Sequence, residues 1–244
     1  MKTLVAVGCS HMAGAEIDKD HNPVSEYNRK NCFAAQVADK LGYDHINVSI
    51  NGGSNQFIHR KIIEYITHYM TNSNDVFFLI GWTASDRMEL RYSENSKFIY
   101  DNLEDLPDKK YFPFTSGTDK KLILDEKMRK LNKFVYVLFE YNLKENERVT
   151  LAYSAQQTLK SFNIPYFMIN TCTGIERTDY TSSIIDKLDK NCYFKPDDGD
   201  YAFFHYCRDV LGYKKFARYH HHFKPAHDDY AKLLYRLIKE RNIL

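Results

Sequence analysis

Three short apolar runs, each ending in a glycine turn and separated by helical patterns, constrain this chain more than any other feature. The first, Leu4 to Val7, is β-branched and runs into Gly8. The second, His45 to Ile50, ends at Asn51-Gly52-Gly53, and the third, Asp75 to Ile80, ends at Gly81. A run that is apolar at nearly every position suits a strand covered on both faces, the situation in a parallel sheet. Between the runs, Phe33, Ala34, Val37, Ala38 and Leu41 recur at helical spacing, with Gly42 as the stop. Phe57, Ile58, Ile62, Ile63, Ile66 and Tyr69 mark a second helix from Asn55 to Met70. This alternation predicts a three-layer α/β sandwich, a flavodoxin-like parallel sheet with helices on both faces.

The rest of the chain reads more coarsely. Gly8 to Gly14 reads as a loop. The segment from Asp86 to Thr118 is rich in Tyr, Asn, Asp and Lys and carries Pro107 and Pro113, an excursion or lid near the mouth of the site. Leu122 to Phe162 lacks proline and glycine and sets Leu131, Phe134, Val135, Leu138 and Phe139 at helical steps, giving one long helix or two. Pro165 to Ile169 is a strand, and residues 171–213 form a variable region. Ala226 to Lys239, with Tyr230, Leu233, Leu234, Leu237 and Ile238 on one face, is a closing helix. With 244 residues and no repeat or low-complexity linker, a single domain over 1–244 is expected.

Charge and cysteine content exclude several classes. The chain has 34 basic and 32 acidic residues, a net charge of +2, which leaves no electrostatic footprint for a nucleic acid partner. Cys9, Cys32, Cys172, Cys192 and Cys207 are odd in number and irregularly spaced, so neither a disulfide framework nor a structural zinc is expected, and no cofactor is implied. Asp197-Asp198-Gly199-Asp200 lacks the spacing and terminal glutamate of a calcium loop. The apolar start stops at Gly8, which reads as a strand rather than a signal peptide. No stretch approaches transmembrane length, so no membrane partner is expected and a reducing cytoplasm is the expected location. Aromatic residues reach 15%, with 19 Tyr and 16 Phe, a content that suits half-wet grooves but is more simply explained by A/T-rich codons.

In an open parallel sheet, ligands bind beyond the carboxyl ends of the strands. Three turns would lie there: Gly8-Cys9-Ser10-His11, Asn51-Gly52-Gly53-Ser54-Asn55 and Gly81-Trp82-Thr83. The first, continuing through Met12-Ala13-Gly14, resembles the opening block of the SGNH/GDSL hydrolases. Asn47 to Gly52 resembles their second block, Gly81-Trp82-Thr83 stands where the third has glycine-x-asparagine, and His220 to His227 resembles the last. The pairing of the first and third motifs is most similar to SGNH-like proteins of large tailed bacteriophages, which implies the host cytoplasm as location.

The resemblance implies a serine esterase or O-deacetylase acting on a small-molecule or carbohydrate ester. Ser10 takes the place of the nucleophile and His221 or His222 that of its base, with His221 favoured by ungapped alignment on Ala226-His227. The N–H groups of Ser10 and Gly52, with Thr83, take the place of the oxyanion hole. His11, Asn55, Trp82 and Arg87 are candidate substrate contacts, with core packing the competing reading for Trp82. Two departures stand out. Thr83 replaces asparagine, and the aspartate that precedes the family's histidine is absent, its places holding Arg218, Tyr219 or His220. A backbone carbonyl, a water or an acid from elsewhere in the fold, with Asp197, Asp198 and Asp200 as candidate acids, would have to support the histidine. A scaffold that binds without catalysis is the alternative. The His220–His222 tract reads as a turn, since three adjacent imidazoles cannot converge on one ion.

Overall fold

The computed structural model describes residues 2–18, 25–91, 111–115, 130, 141–217 and 220–244. Four parallel strands form the sheet in the order β2-β1-β3-β6. They are β1 (Thr3–Gly8), β2 (Asp44–Asn47), β3 (Val76–Trp82) and β6 (Tyr166–Asn170). A separate antiparallel pair, β4 (Arg87–Arg91) and β5 (Tyr111–Thr115), lies between β3 and β6 in sequence. The helices are α1 (Ser10–Ala13), α2 (Glu26–Asn31), α3 (Phe33–Leu41), α4 (Asn55–His68), α5 (Tyr141–Ser161), α6 (Asp179–Ile185) and α7 (Lys224–Glu240), with a short helical turn at Phe203–His205.

Strand alternation divides the core into two layers. On β1, Leu4 and Ala6 face one side while Val5 and Val7 face the other. On β3, Phe77 and Leu79 oppose Phe78 and Ile80, and on β6 Phe167 and Ile169 oppose Tyr166 and Met168. The first layer is closed by α3 and α7 through Phe33, Val37, Tyr230, Leu234 and Ile238, the second by α4 and α5 through Phe57, Ile62, Val149, Ala152 and Leu159. Strands buried on both faces need continuous apolar runs, which is the pattern the sequence displays. Each side chain removed from water in this way stabilises the fold by about 1.5–3 kcal/mol.

Several boundaries differ from expectation. The second strand stops at Asn47 rather than Ile50, because Asn47 turns its side chain back onto the Ser49 N–H at 3.0 Å. The segment after Gly8 is not all loop: Ser10–Ala13 forms one helical turn, with the Ala13 N–H donating to Cys9 O at 3.0 Å. Within the expected excursion, residues 87–91 and 111–115 contribute the β4–β5 pair. Its docking to the body is a bidentate ion pair in which Arg60 of α4 meets Glu89 at 2.5 and 3.1 Å. The remainder of that excursion, the apolar positions Leu131, Phe134, Val135, Leu138 and Phe139, and Arg218 and Tyr219 lie outside the described residues.

Candidate active site

Three turns meet at the carboxyl edge of the sheet. Gly8 and Gly81 face each other in register across β1 and β3. A Cβ on either would collide with Met12, so the paired glycines make the bed in which α1 lies. A Cβ on Gly53 would stand 2.9 Å from Gly8 O, so the second turn packs directly on the first. The third turn is tied to the second by Asn55, whose side chain accepts from the Thr83 N–H at 3.0 Å and donates to Thr83 O and Ala84 O at 3.3 Å each. Asn55 is thus occupied in holding the third turn, a structural duty in place of the expected substrate contact. Ser10 opens α1 and is almost wholly buried. Among the described residues its hydroxyl makes no hydrogen bond, and neither its N–H nor that of Gly52, which sits at φ 68°, has an acceptor. Two unpaired amides on adjoining turns are the chemistry an oxyanion requires.

The two candidate histidines occupy different environments. His221 Nδ1 lies 2.6 Å from Glu16 Oε2, and both side chains are about nine-tenths buried. With Nδ1–H given to the carboxylate, the free lone pair is on Nε2. The His221 ring stands 5.0 Å from that of His11, the residue after Ser10, in an edge-on arrangement. Glu16 holds this position with a left-handed backbone at φ 57°, an uncommon state for a long side chain and one that concentrates at functional sites. His222 is wholly buried. Its Nε2 lies 3.0 Å from Phe204 O, and its ring packs among Phe203, Phe204 and Phe216. That corrects its candidacy as a base: its one hydrogen-bonded nitrogen is given to the backbone, and its other is buried with no partner among the described residues.

An acid from elsewhere in the fold does support His221, but it is none of Asp197, Asp198 and Asp200. Asp197 pairs with Arg177 at 2.5 Å, and Asp198 caps the turn Gly199–Tyr201 through Asp200 N. Glu16 is not legible as a partner in the sequence because 205 positions separate it from His221, and no spacing rule spans such a gap. Trp82 is also corrected. It is fully buried, its Nε1–H directed at Met168 Sδ 3.4 Å away, so it fills the core and offers no wall to a sugar. Thr83 is at the expected turn, but its hydroxyl lies 3.5 Å from Cys172 Sγ. Arg87 lies on β4 with a buried Nη1 that has no partner among the described residues.

Burial governs the electrostatics here. It pushes His11 down to about 3 and His222 down to about 4, so both are neutral near neutrality. His227, which accepts the Phe33 N–H at 3.2 Å and so caps α3 from α7, is held well below its ordinary value, again by burial. Among the described residues no group of three or more His, Cys, Asp or Glu is arranged to hold a metal ion, and no helix is long and apolar enough to cross a membrane.

No curated protein matches this chain. Solved structures do. The psychrotrophic esterase EstA from Pseudoalteromonas sp. aligns over 98% of both chains at 13% identity with a TM-score of 0.50. TesA aligns over 98% of this chain and 99% of its own at 10% identity and 0.51. The acetyl xylan esterase Est2A from Butyrivibrio proteoclasticus aligns over 98% of this chain and 64% of its own at 12% identity and 0.50. At such identities the likeness is one of fold: a single α/β domain on a parallel sheet of the kind these structures share. Residues 15–198 match the model of a family of unknown function, DUF6071, and the chain belongs to that family.

Proposed function

We propose that this chain is a serine esterase working by nucleophilic acyl transfer, with an acylated carbohydrate as its class of substrate. Ser10 Oγ attacks the ester carbonyl while His221 Nε2 takes its proton. The imidazolium that forms is stabilised by Glu16, which also fixes the tautomer through Nδ1. The N–H groups of Ser10 and Gly52 receive the developing oxyanion, with Thr83 on the adjoining turn as a third donor once its hydroxyl turns from Cys172. The proton then passes from His221 to the departing alcohol, and water attacks the acyl-serine with His221 again as base.

The observation that carries this reading is the Glu16–His221 pair, a carboxylate on Nδ1 of an imidazole that stands against the residue next to Ser10. The carbohydrate class draws support from the acetyl xylan esterase among the structural neighbours. One observation favours a second reading, a binding module without catalysis: Ser10 Oγ is not hydrogen-bonded to His221, and the Thr83 hydroxyl is turned to Cys172. A fluorophosphonate probe separates the two, and EstA, inhibited by monoethylphosphonate, is a precedent for such reagents on this fold. Covalent labelling located on Ser10 and abolished in Ser10→Ala, together with hydrolysis of acetyl esters, is the expected result. An unlabelled, inert protein whose thermal midpoint equals that of Ser10→Ala would sink the catalytic reading and leave the binding module.

A further inference from the structure

Thr171, the residue after β6, reaches the turn that carries Ser10, the turn that carries Thr83 and the segment that carries the histidines. It is wholly buried. Its N–H and its hydroxyl both donate to Trp82 O, at 2.8 and 2.9 Å. With its proton given to that carbonyl, Oγ1 accepts from the thiol of Cys9, whose Sγ is 3.2 Å away. Burial pushes the Cys9 thiol up to about 11, so it keeps the proton this bond needs. Cys172 Sγ lies 3.7 Å from the same oxygen. The Thr171 methyl packs over Gly81, where a Cβ would stand 2.7 Å from it. The Thr171 carbonyl accepts from the Phe204 N–H at 3.0 Å, and Phe204 O is in turn the partner of His222 Nε2 at 3.0 Å.

Each of these contacts ends one position from a group of the site. Cys9 precedes Ser10, Trp82 precedes Thr83, and His222 follows His221. The end of β6 is itself braced from behind. The buried Arg148 guanidinium donates to Asn170 Oδ1 at 2.8 Å and to Thr173 O at 2.6 Å, on either side of Thr171. The Thr171 N–H already satisfies the Trp82 carbonyl, so packing and polar satisfaction do not require the hydroxyl. What the hydroxyl adds is the link to Cys9.

We propose that Thr171 is a positioning residue, its hydroxyl holding the turn of Ser10 in register with the turn of Thr83. The inference rests on the esterase reading and deepens it. Thr171 acts through Cys9 and Trp82: the chain from the Cys9 thiol through Oγ1 to Trp82 O fixes the backbone that precedes the nucleophile against the backbone that precedes the third oxyanion donor. A misplacement of the nucleophile by about 1 Å is enough to cost about 10²-fold in rate.

Thr171→Val keeps the methyl packing and both backbone bonds and deletes only the hydroxyl. Acetyl-ester kcat and the rate of fluorophosphonate labelling at Ser10 should both fall by about 10–10²-fold, with KM nearly unchanged. Thr171→Ser keeps the hydroxyl and deletes the methyl. It should recover most of that loss even though the cavity it opens lowers its thermal midpoint. Rate then follows the hydroxyl rather than the stability, a pattern that a merely structural role does not give. Cys9→Ala cuts the same chain at its other end and should slow labelling likewise, which serves if the valine variant folds poorly. Combined with Thr171→Val it should add no further loss, since both break one link. Labelling of the wild type at Ser10 with an equal rate in Thr171→Val, or rates that rank with the thermal midpoints, would overturn the inference and leave the esterase reading standing. A wild type that neither labels nor turns over removes that reading, and this inference with it.

Discussion

The buried histidines make stability fall on mild acidification, by an amount the structure sets. His11 is 7% exposed and His222 is not exposed at all, and in each one ring nitrogen, Nδ1, is buried without a partner among the described residues. Protonation would place an unpaired N–H and a full charge in that space. The folded values therefore lie at about 3 and about 4, while the unfolded chain titrates near 6.5. Below that value the unfolded state binds protons that the folded state refuses, so stability is intact above it and is lost as pH falls toward the folded values. Each histidine contributes about 1.4 kcal/mol per pH unit in that window. Between about pH 7.5 and about pH 5, each therefore removes about 2 kcal/mol, a large part of the 5–15 kcal/mol typical of a domain. For a chain of this length the two together lower the thermal midpoint by roughly 8–16 °C. Urea unfolding followed by circular dichroism over this range measures it, with His11→Gln expected to remove about 2 kcal/mol of the change, the remainder coming from His222 and from His45, His59 and His227, which burial also holds low. The carboxylates held low, such as Asp189, act only at lower pH and do not enter. A flat profile, or a slope unchanged in His11→Gln, would refute the argument.

Three further outcomes follow from named contacts. Glu16→Gln keeps the shape at His221 but removes the charge that stabilises its cation, so acetyl-ester turnover should drop by about 10²–10⁴ with little change in KM; an unchanged kcat would remove Glu16 from the mechanism. Arg148 and Glu145 are both buried on α5, where Arg148 also binds Asn170, Thr173 and Gly174 at the end of β6. Arg148→Met should cost about 3–5 kcal/mol by stranding the Glu145 charge, and adding Glu145→Gln should restore much of it in denaturant titration. Trp82→Ala should cost about 3–5 kcal/mol as a core cavity, whereas a solvent-facing ligand wall at this position would leave the denaturation midpoint almost unmoved.

The sequence by itself determined the sheet and its two helical layers. Leu4 to Val7 and Val76 to Ile80 are apolar at successive positions, and only a strand covered on both faces can use such a run. The glycines at positions 8 and 81 announced the turns at the carboxyl edge, since local backbone geometry depends on local residue type. The closing helix was legible for the same reason, its apolar face repeating at the helical period through Tyr230, Leu234 and Ile238. What tertiary structure alone decided is which polar groups meet. The roles of His221 and His222 differ by one position in the chain and by a wholly different surrounding, one facing Glu16 and the other sealed among phenylalanines. Glu16 and the Cys9–Thr171–Cys172 cluster depend on chain segments brought together by strand order, and Trp82 was assigned to the core by the β3 pleat. Hydrophobic burial is read from short-range periodicity, but a hydrogen bond or ion pair needs two specific atoms within a few ångströms. The distance between them is a property of the whole packed chain.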